Sequence, residues 1–171
     1  GHRIEGIGDK HVPWVHNVRN TDMVVAIDDD AVVAIARLFN EPAGRAYLLR
    51  MGIPAETVNQ LGLLGFSGIA NVLSAIKFAK YYELGETDVV LTVLTDSMEL
   101  YHSRIEEMHA EFGAYTELNA AADFARHLLG VTTDNLLELS YAERRRVHDL
   151  KYYTWVEQQG KTYEEILAQW Y

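Results

Sequence analysis

The chain has 171 residues, 49% of them apolar, and a formal net charge of −10 at pH 7, which suits one soluble globular domain and excludes nonspecific binding to nucleic acid or anionic membranes. It contains no cysteine, so disulfides, thiolate catalysis and cysteine-ligated zinc are excluded. No apolar run reaches the ~20 residues of a membrane span and no signal-peptide pattern opens the sequence, so we expect a cytoplasmic protein.

The N-terminal region predicts a loop followed by a short strand and a helix. The first 20 residues show no regular periodicity and contain Gly6, Gly8 and Pro13, which is typical of a loop. The β-branched stretch Asp22–Ile27 indicates a strand. The three aspartates at 28–30 then favour a helix start, because carboxylates accept hydrogen bonds from free N–H groups and face the positive end of the helix dipole.

The middle of the chain contains a glycine-rich turn that leads into a long helix. Residues 40–60 are irregular apart from a short helix predicted at AETVNQL. The turn Gly65-Phe66-Ser67-Gly68 follows, and apolar residues then recur at helical spacing from Ile69 to Ala79. Glycines that precede a helix indicate that the backbone approaches another group closely.

The order of elements predicts an α/β fold. Asp88–Leu94 is apolar on both faces, as in an interior strand of a parallel sheet. Asp96 and Glu99 have capping-box spacing and predict the start of another helix, and the rest of the chain is helical in character. We therefore predict a partial parallel sheet with flanking helices in residues 1–111 and a C-terminal α-helical extension packed on it in residues 112–171.

Spacing alone leaves the role of Ser67 open. The nucleophile elbow Gly-x-Ser-x-Gly is incomplete, because Ile69 stands in place of its last glycine. The dinucleotide-binding spacing Gly-x-Gly-x-x-Gly is absent. A third interpretation makes Ser67 a helix N-cap, whose hydroxyl accepts hydrogen bonds from the following amides. A capping serine at the end of a parallel strand would also lie where α/β sheets bind ligands, so capping and binding are compatible.

Four blocks of the sequence carry a family resemblance: HRIEGIGDKHVPWVHN, DMVVAIDDDAVVAIARLF, GLLGFSGIANVLSAIKFAKYY and DVVLTVLTDSMELYHSRI. Together they resemble the C-terminal part of the cysteine synthase / cystathionine β-synthase-like family of pyridoxal-phosphate enzymes. They occur in the family's order and cover about three-fifths of the chain. The resemblance implies the C-terminal half of a type II pyridoxal-phosphate fold.

The same resemblance implies a set of site residues. The family's turn reads Gly-x-Ser-x-Gly-Ala, and its serine hydrogen-bonds the pyridine nitrogen of pyridoxal 5'-phosphate. Gly65 and Ser67 match this turn, so they are implied to contact the cofactor, although Ile69 replaces the second glycine. Thr95 is the second candidate for the nitrogen partner, and a plain strand end is its alternative. Gly6-Ile7-Gly8 is implied to line the substrate side, and an ordinary loop is the alternative there.

The implied activity is β-elimination or β-replacement on an amino acid of the serine, O-acylserine or cysteine kind. A neutral hydroxyl does not force a proton onto the pyridine nitrogen, which suits a moderate electron sink. The family's Schiff-base lysine and phosphate loop precede the matched segment, so no catalytic residue is expected here. The implied partners are the N-terminal half of the enzyme, as a separate chain or a missing segment, and the amino-acid substrate. We also expect a homo-oligomer.

Two other interpretations compete with this one. A non-catalytic interaction subunit that retains the half-domain fold would show the same sequence pattern. A metal site is suggested by His102, Glu106 and His109, which share one helical face. Glu107 and Glu111 nearby are typical of a solvated, charged face, so we predict no metal site.

Overall fold

The chain separates into two compact units. The computed structural model describes Arg3, Ile4 and residues 11–170. Of these, unit 1 contains Arg3, Ile4 and residues 27–134, and unit 2 contains residues 11–26 and 135–170. The chain passes between the units at 26–27 and at 134–135, so the predicted boundary at 111–112 lies inside unit 1.

Helices dominate the described residues. The α-helices are α1 (Asp29–Asn40), α2 (Pro42–Arg50), α3 (Ala55–Gln60), α4 (Phe66–Tyr81), α5 (His102–Phe112), α6 (Glu117–Phe124), α7 (Tyr141–Asp149) and α8 (Tyr163–Ala168). Short 3-10 turns lie at Val18–Asn20, Leu61–Leu63 and Met98–Tyr101, and π-helical turns at Ala125–Leu129 and Tyr152–Val156. The strands are β1 (Met23–Val25) and β2 (Leu136–Glu138).

The predicted parallel sheet of residues 1–111 is wrong. Among the described residues the only sheet is the antiparallel pair β1–β2, in which Val24 lies opposite Leu137. Residues 88–94 form neither strand nor helix. A strand that is apolar on both faces is stable only where neighbouring strands bond its backbone and other layers cover its faces. The described part of the chain provides no such neighbours, so the α/β prediction fails.

Helix α1 lies at the centre of the apolar core of unit 1. Asp28 Oδ1 accepts a hydrogen bond from Asp30 N–H at 3.0 Å, which confirms the helix start predicted from the three aspartates. Val32, Ile35 and Leu38 are fully buried. The helix packs against α2, α4 and α6, and each buried aliphatic side chain stabilises the unit by about 1.5–3 kcal/mol.

A buried ion pair joins α1 to the start of α2. Arg37 Nε donates to Glu41 Oε1 at 2.8 Å, and both side chains are buried. Arg37 also donates to the Gly113 carbonyl at 2.7 Å and lies over the Tyr115 ring, 4.8 Å from its centroid. The second carboxylate oxygen of Glu41 is 2.5 Å from His109 Nε2. Each charged group of this network has a partner, which is the condition for burying it.

Unit 2 consists of β1–β2, α7 and α8. Both of these helices begin with a local cap: Ser140 accepts from Glu143 N–H at the start of α7, and Thr162 forms a capping box with Glu165 at the start of α8. These caps depend on residues within one helical turn, which explains why the sequence alone indicates them.

A buried lysine connects distant segments of unit 2. The Lys151 ammonium donates to the carbonyls of Trp14 and His16, both at 2.8 Å, and to Gln169 Oε1 at 2.7 Å. Burial lowers the pKa of Lys151, because the charged amine loses water. Three acceptors match its three N–H bonds, so the amine is fully bonded in its charged form.

We expect unit 2 to lose stability in acid because of His148. This imidazole is buried, and its Nε2 donates to the Ile166 carbonyl at 2.9 Å. Burial is the main cause that lowers the pKa of His148 from its ordinary value of 6.5. The positive charges of Lys151 and Arg145 lower this pKa further. The hydrogen bond to Ile166 and the negative charge of Asp149 act in the opposite direction. The unfolded chain therefore takes up the proton first, so the stabilisation is complete above pH 6.5 and falls as the pH drops toward the lower folded value.

Tryptophan fluorescence measures this effect selectively, because all three tryptophans lie in unit 2. Urea denaturation between about pH 7.5 and 5 should give a falling unfolding free energy, and His148→Gln should flatten that slope. His102→Gln, at an exposed position, is the matched control and should keep the wild-type slope. Equal slopes for all three proteins would contradict the prediction.

Candidate functional site

Two segments that the sequence predicted to contact a cofactor lie against each other in unit 1. Gly65 N–H donates to the Asp96 carbonyl at 2.9 Å. Asn71, on α4, donates through Nδ2 to the Val93 carbonyl at 2.8 Å. The start of α4 therefore packs on the segment that carries Thr95. We call Gly65, Phe66, Ser67, Thr95, Asp96 and Tyr101 the α4 cluster.

Close contact explains the glycine at position 65. Its backbone is extended, with φ −73° and ψ −178°, a conformation open to any residue. A Cβ at this position would lie 2.6 Å from Asp96 Oδ1 and 2.9 Å from the Asp96 carbonyl oxygen. The sequence prediction that a glycine here allows close backbone approach is thus confirmed, and the approaching group is Asp96.

Gly65→Ala should lower the unfolding free energy of unit 1 by about 1–3 kcal/mol, because the new methyl group would push Asp96 away. Gly68→Ala is the matched control: its Cβ would meet Leu64 Cδ2 at an ordinary 3.6 Å, and alanine suits a helix better than glycine. We expect this control to be neutral or stabilising by up to about 1 kcal/mol. Thermal unfolding followed by circular dichroism compares the two, and equal melting temperatures would contradict the packing argument.

Ser67 is not the N-cap of α4. Gly65 occupies the N-cap position and makes no side-chain capping bond, so Ser67 lies inside the first turn and is only 4% exposed. The first residue of the helix is Phe66, whose buried ring packs perpendicular to Tyr101 with centroids 5.2 Å apart. The helix therefore begins one residue before the serine, which the spacing of the glycines did not indicate.

Asp96 also differs from its predicted role. The predicted capping box with Glu99 is absent from the described structure, in which Ser97 is the N-cap of the following turn. The Asp96 carboxylate instead accepts from Tyr101 Oη at 2.5 Å and from Thr95 Oγ1 at 3.0 Å. Sequence reasoning missed Asp96 as a member of the site. A carboxylate two residues after the strand-like apolar run is the available signal, but its spacing to Glu99 predicts a helix cap instead.

The hydroxyls of the α4 cluster are of the chemical kind that the resemblance implies beside the pyridine nitrogen. Ser67 and Thr95 are neutral, as the nitrogen partner in the resembled family is. The low exposure of Ser67 means that its hydroxyl is enclosed by this chain's own atoms. The described residues supply neutral hydroxyls, and they do not form an enclosure for the ring.

The amines of the lysines in the described ranges are all engaged. Lys77 donates to Asp134, Lys80 to the Val131 carbonyl, and Lys161 to Glu165. Lys151 has the three acceptors described above. The sequence-predicted substrate loop, Gly6, Ile7 and Gly8, lies outside the described residues.

The histidines of α5 line a cleft and do not form a metal-binding site. His102, Glu106 and His109 line a cavity of about 580 Å³. His109 is bonded to buried Glu41. Within residues 11–170, Arg3 and Ile4, no group of three or more histidine, aspartate or glutamate side chains has the arrangement that would hold a metal ion.

No single helix in the described part of the chain is both long and apolar enough to cross a membrane. The stretches Ala55–Leu63 and Phe66–Tyr81 meet that requirement only when taken together, and they are bent by 118° relative to each other.

Comparisons of the chain with protein-family models, with curated proteins and with solved structures found no match.

Proposed function

We propose that this chain is part of a cytoplasmic pyridoxal-phosphate-dependent enzyme, similar to cysteine synthase, that catalyses β-elimination or β-replacement on a serine-, O-acylserine- or cysteine-type amino acid. The observation that supports this proposal is the packing of the start of α4 on residues 93–96. Thr95 is distant in sequence from Gly65 and Ser67, yet the segment that carries it packs on the start of α4. A shared ligand is one reason for such residues to be adjacent.

Ser67 is proposed to hydrogen-bond the pyridine nitrogen. Bound pyridoxal phosphate would supply the electron sink that this chemistry requires. The carboxylate of Asp96 already accepts from Tyr101 and Thr95, so its charge is stabilised within the cluster. The chain therefore offers a neutral hydroxyl at this point, which suits a ring nitrogen that is not forced to carry a proton.

The catalytic lysine and the phosphate-binding loop are proposed to come from the N-terminal half of the enzyme, either a separate polypeptide or a further segment. The engagement of each described lysine supports this division. Gly6-Ile7-Gly8 remains the proposed substrate-side loop, and we propose that the complete enzyme is a homo-oligomer.

The test is a visible absorption spectrum with added pyridoxal phosphate, for the chain alone and for the chain co-expressed with the polypeptide encoded immediately upstream. We expect the band of lysine-bound cofactor only in the second sample. Ser67→Ala should then weaken cofactor affinity by up to about tenfold and shift the band, since one hydrogen bond to the ring is lost.

Ser74→Ala is the matched control, because Ser74 lies on the same helix and donates only to the Ala70 carbonyl at 2.9 Å. It should leave the spectrum unchanged. A band in the chain alone would disprove the proposed source of the lysine. Identical spectra for the two serine variants would disprove the proposed role of Ser67.

A second candidate function is a non-catalytic interaction subunit. The observation that favours it is the exposure of the apolar residues 89–94, in which Val89 is 90% exposed, Leu91 93% and Val93 68%. A stable complex with the upstream polypeptide that lacks the cofactor band would support this candidate over the enzyme.

A further inference from the structure

The cleft beside α5 in unit 1 has the size of a small-molecule site. Its volume is about 580 Å³, and sites for small molecules typically span about 300–1,000 Å³. Its walls come from the junction of α1 and α2, from residues 59–63, from Met98 and Glu99, and from α5. None of the six residues of the α4 cluster lines it, so the proposed function gives this cleft no role.

A buried carboxylate holds one histidine of the cleft in place. His109 Nε2 lies 2.5 Å from Glu41 Oε2, and the Glu41 side chain is 5% exposed whereas that of His109 is 48% exposed. The other carboxylate oxygen of Glu41 accepts from Arg37 Nε at 2.8 Å, so both oxygens are engaged. The imidazole of His109 is therefore anchored at the core on one side and lines the cleft with the rest of the ring.

This anchoring also determines where the ring has a lone pair. An ionised carboxylate only accepts hydrogen bonds, so His109 Nε2 carries the proton and donates to Glu41. In the neutral imidazole Nδ1 is then the acceptor. No hydrogen bond among the described residues occupies Nδ1. A histidine that is oriented by a buried carboxylate and keeps its second nitrogen free is suited to accept a hydrogen bond or a proton from a bound molecule.

The charges around the cleft determine the sign of the ligand. Three carboxylates line it, those of Glu41, Glu99 and Glu106, and neither lysine nor arginine is among its lining residues. Arg37 balances the charge of Glu41, whereas Glu99 and Glu106 have no ion pair within the described part of the chain. The cleft therefore repels anions such as phosphate and attracts cations.

Apolar side chains distinguish an organic cation from a metal ion. Leu63, Met98 and Ile105 line the same cleft, and Leu63 is 61% exposed. A hydrocarbon chain that covered these side chains would gain the free energy of removing apolar surface from water. A metal ion would not cover them, and the described side chains lack a metal-binding arrangement. A positively charged group on an aliphatic chain matches both features of the cleft.

We propose that this cleft binds a small aliphatic amine, whose ammonium group donates a hydrogen bond to Nδ1 of His109 and lies near the carboxylates of Glu99 and Glu106. The hydrocarbon part of the ligand covers Leu63. Glu41 is a positioning residue, because it acts through the His109 ring. The site goes beyond the proposed function and does not depend on it, since it uses no residue of the α4 cluster.

The experiment titrates the full chain with 1,5-diaminopentane, without pyridoxal phosphate, by calorimetry and by ¹⁵N resonances of the imidazole rings. At about pH 8 the amine is charged and the imidazole is neutral. We expect binding, a proton on His109 Nε2, and a shift of the His109 Nδ1 resonance as the amine is added. Glutarate, a dianion with the same number of carbon atoms, should not bind.

Two pairs of variants on α5 test the residues. His109→Leu should weaken binding about tenfold, because it removes the acceptor, whereas His102→Leu should bind like the wild type, since His102 lines the cleft without a carboxylate to orient it. Glu106→Gln should weaken binding about threefold. Glu107→Gln is its matched control, because Glu107 is also exposed but pairs with Arg104 outside the cleft.

Several results would overturn the proposal: no binding of the diamine, equal binding of glutarate, a proton on His109 Nδ1, or equal losses in the two histidine variants. An equal loss in Glu106→Gln and Glu107→Gln would show that the net negative charge of the chain alone attracts the amine, which also contradicts a site. If His109→Leu does not fold, the two glutamate variants and the ¹⁵N shift decide, since both glutamates are exposed.

Discussion

Replacing Glu41 with alanine should lower the unfolding free energy of unit 1 by about 3–5 kcal/mol. The substitution leaves the buried guanidinium of Arg37 without its carboxylate, and the bond to the Gly113 carbonyl cannot compensate a full charge. It also removes the partner of His109. Urea denaturation followed by circular dichroism, with hydrogen exchange of α1 and α2, measures the loss.

Glu107→Ala provides the matched control, because Glu107 pairs with Arg104 at 2.7 Å on the exposed side of α5. Such surface pairs contribute about 0–1 kcal/mol. The double variant Arg37→Met with Glu41→Leu should recover much of the lost stability, since it removes both charges together. If Glu41→Ala cost no more than Glu107→Ala, the buried network would not stabilise unit 1.

Replacing Lys151 with methionine should destabilise unit 2 by about 3–5 kcal/mol. Methionine preserves the apolar part of the side chain but leaves the carbonyls of Trp14 and His16 and the amide oxygen of Gln169 without their donor. Each lost bond to a charged group costs about 1.5–3 kcal/mol, partly offset because no buried charge remains. Urea denaturation followed by tryptophan fluorescence measures the effect in unit 2 alone.

Lys161→Met is the control for this change. Lys161 also bonds a side-chain oxygen, that of Glu165 at 3.0 Å, and its amine lies over the Trp14 ring, but its side chain is exposed. We expect a loss of about 1 kcal/mol or less. Similar midpoints for the two lysine variants would show that Lys151 is not a structural connection.

The caps and the long helices were predictable because their causes are local. Asp28, Ser140 and Thr162 each cap a helix through an amide two or three residues away. The helical spacing from Ile69 to Ala79 likewise indicated α4, which spans that range. Such features depend on hydrogen bonds within one turn and on the period of apolar residues.

The candidate site was predictable only in part. The resemblance of the sequence blocks implied Gly65, Ser67 and Thr95, and the structure packs the start of α4 on residues 93–96. The role of Asp96 as acceptor for Thr95 and Tyr101 did not follow from spacing, because the helical turn that presents Tyr101 lies beside it only after folding.

The sequence by itself determined where most helices begin, which stretch is strand-like, and that the chain lacks cysteine chemistry. Only the tertiary structure decided that residues 89–94 have no strand beside them, that Gly65 meets Asp96, and that Lys151 is bonded to residues at both ends of unit 2. The physical reason is that sheet pairing and buried charge need partners far away in the chain. Local sequence patterns indicate which segments need a neighbouring strand or an ion-pair partner, and the tertiary fold decides whether the chain itself contains that partner.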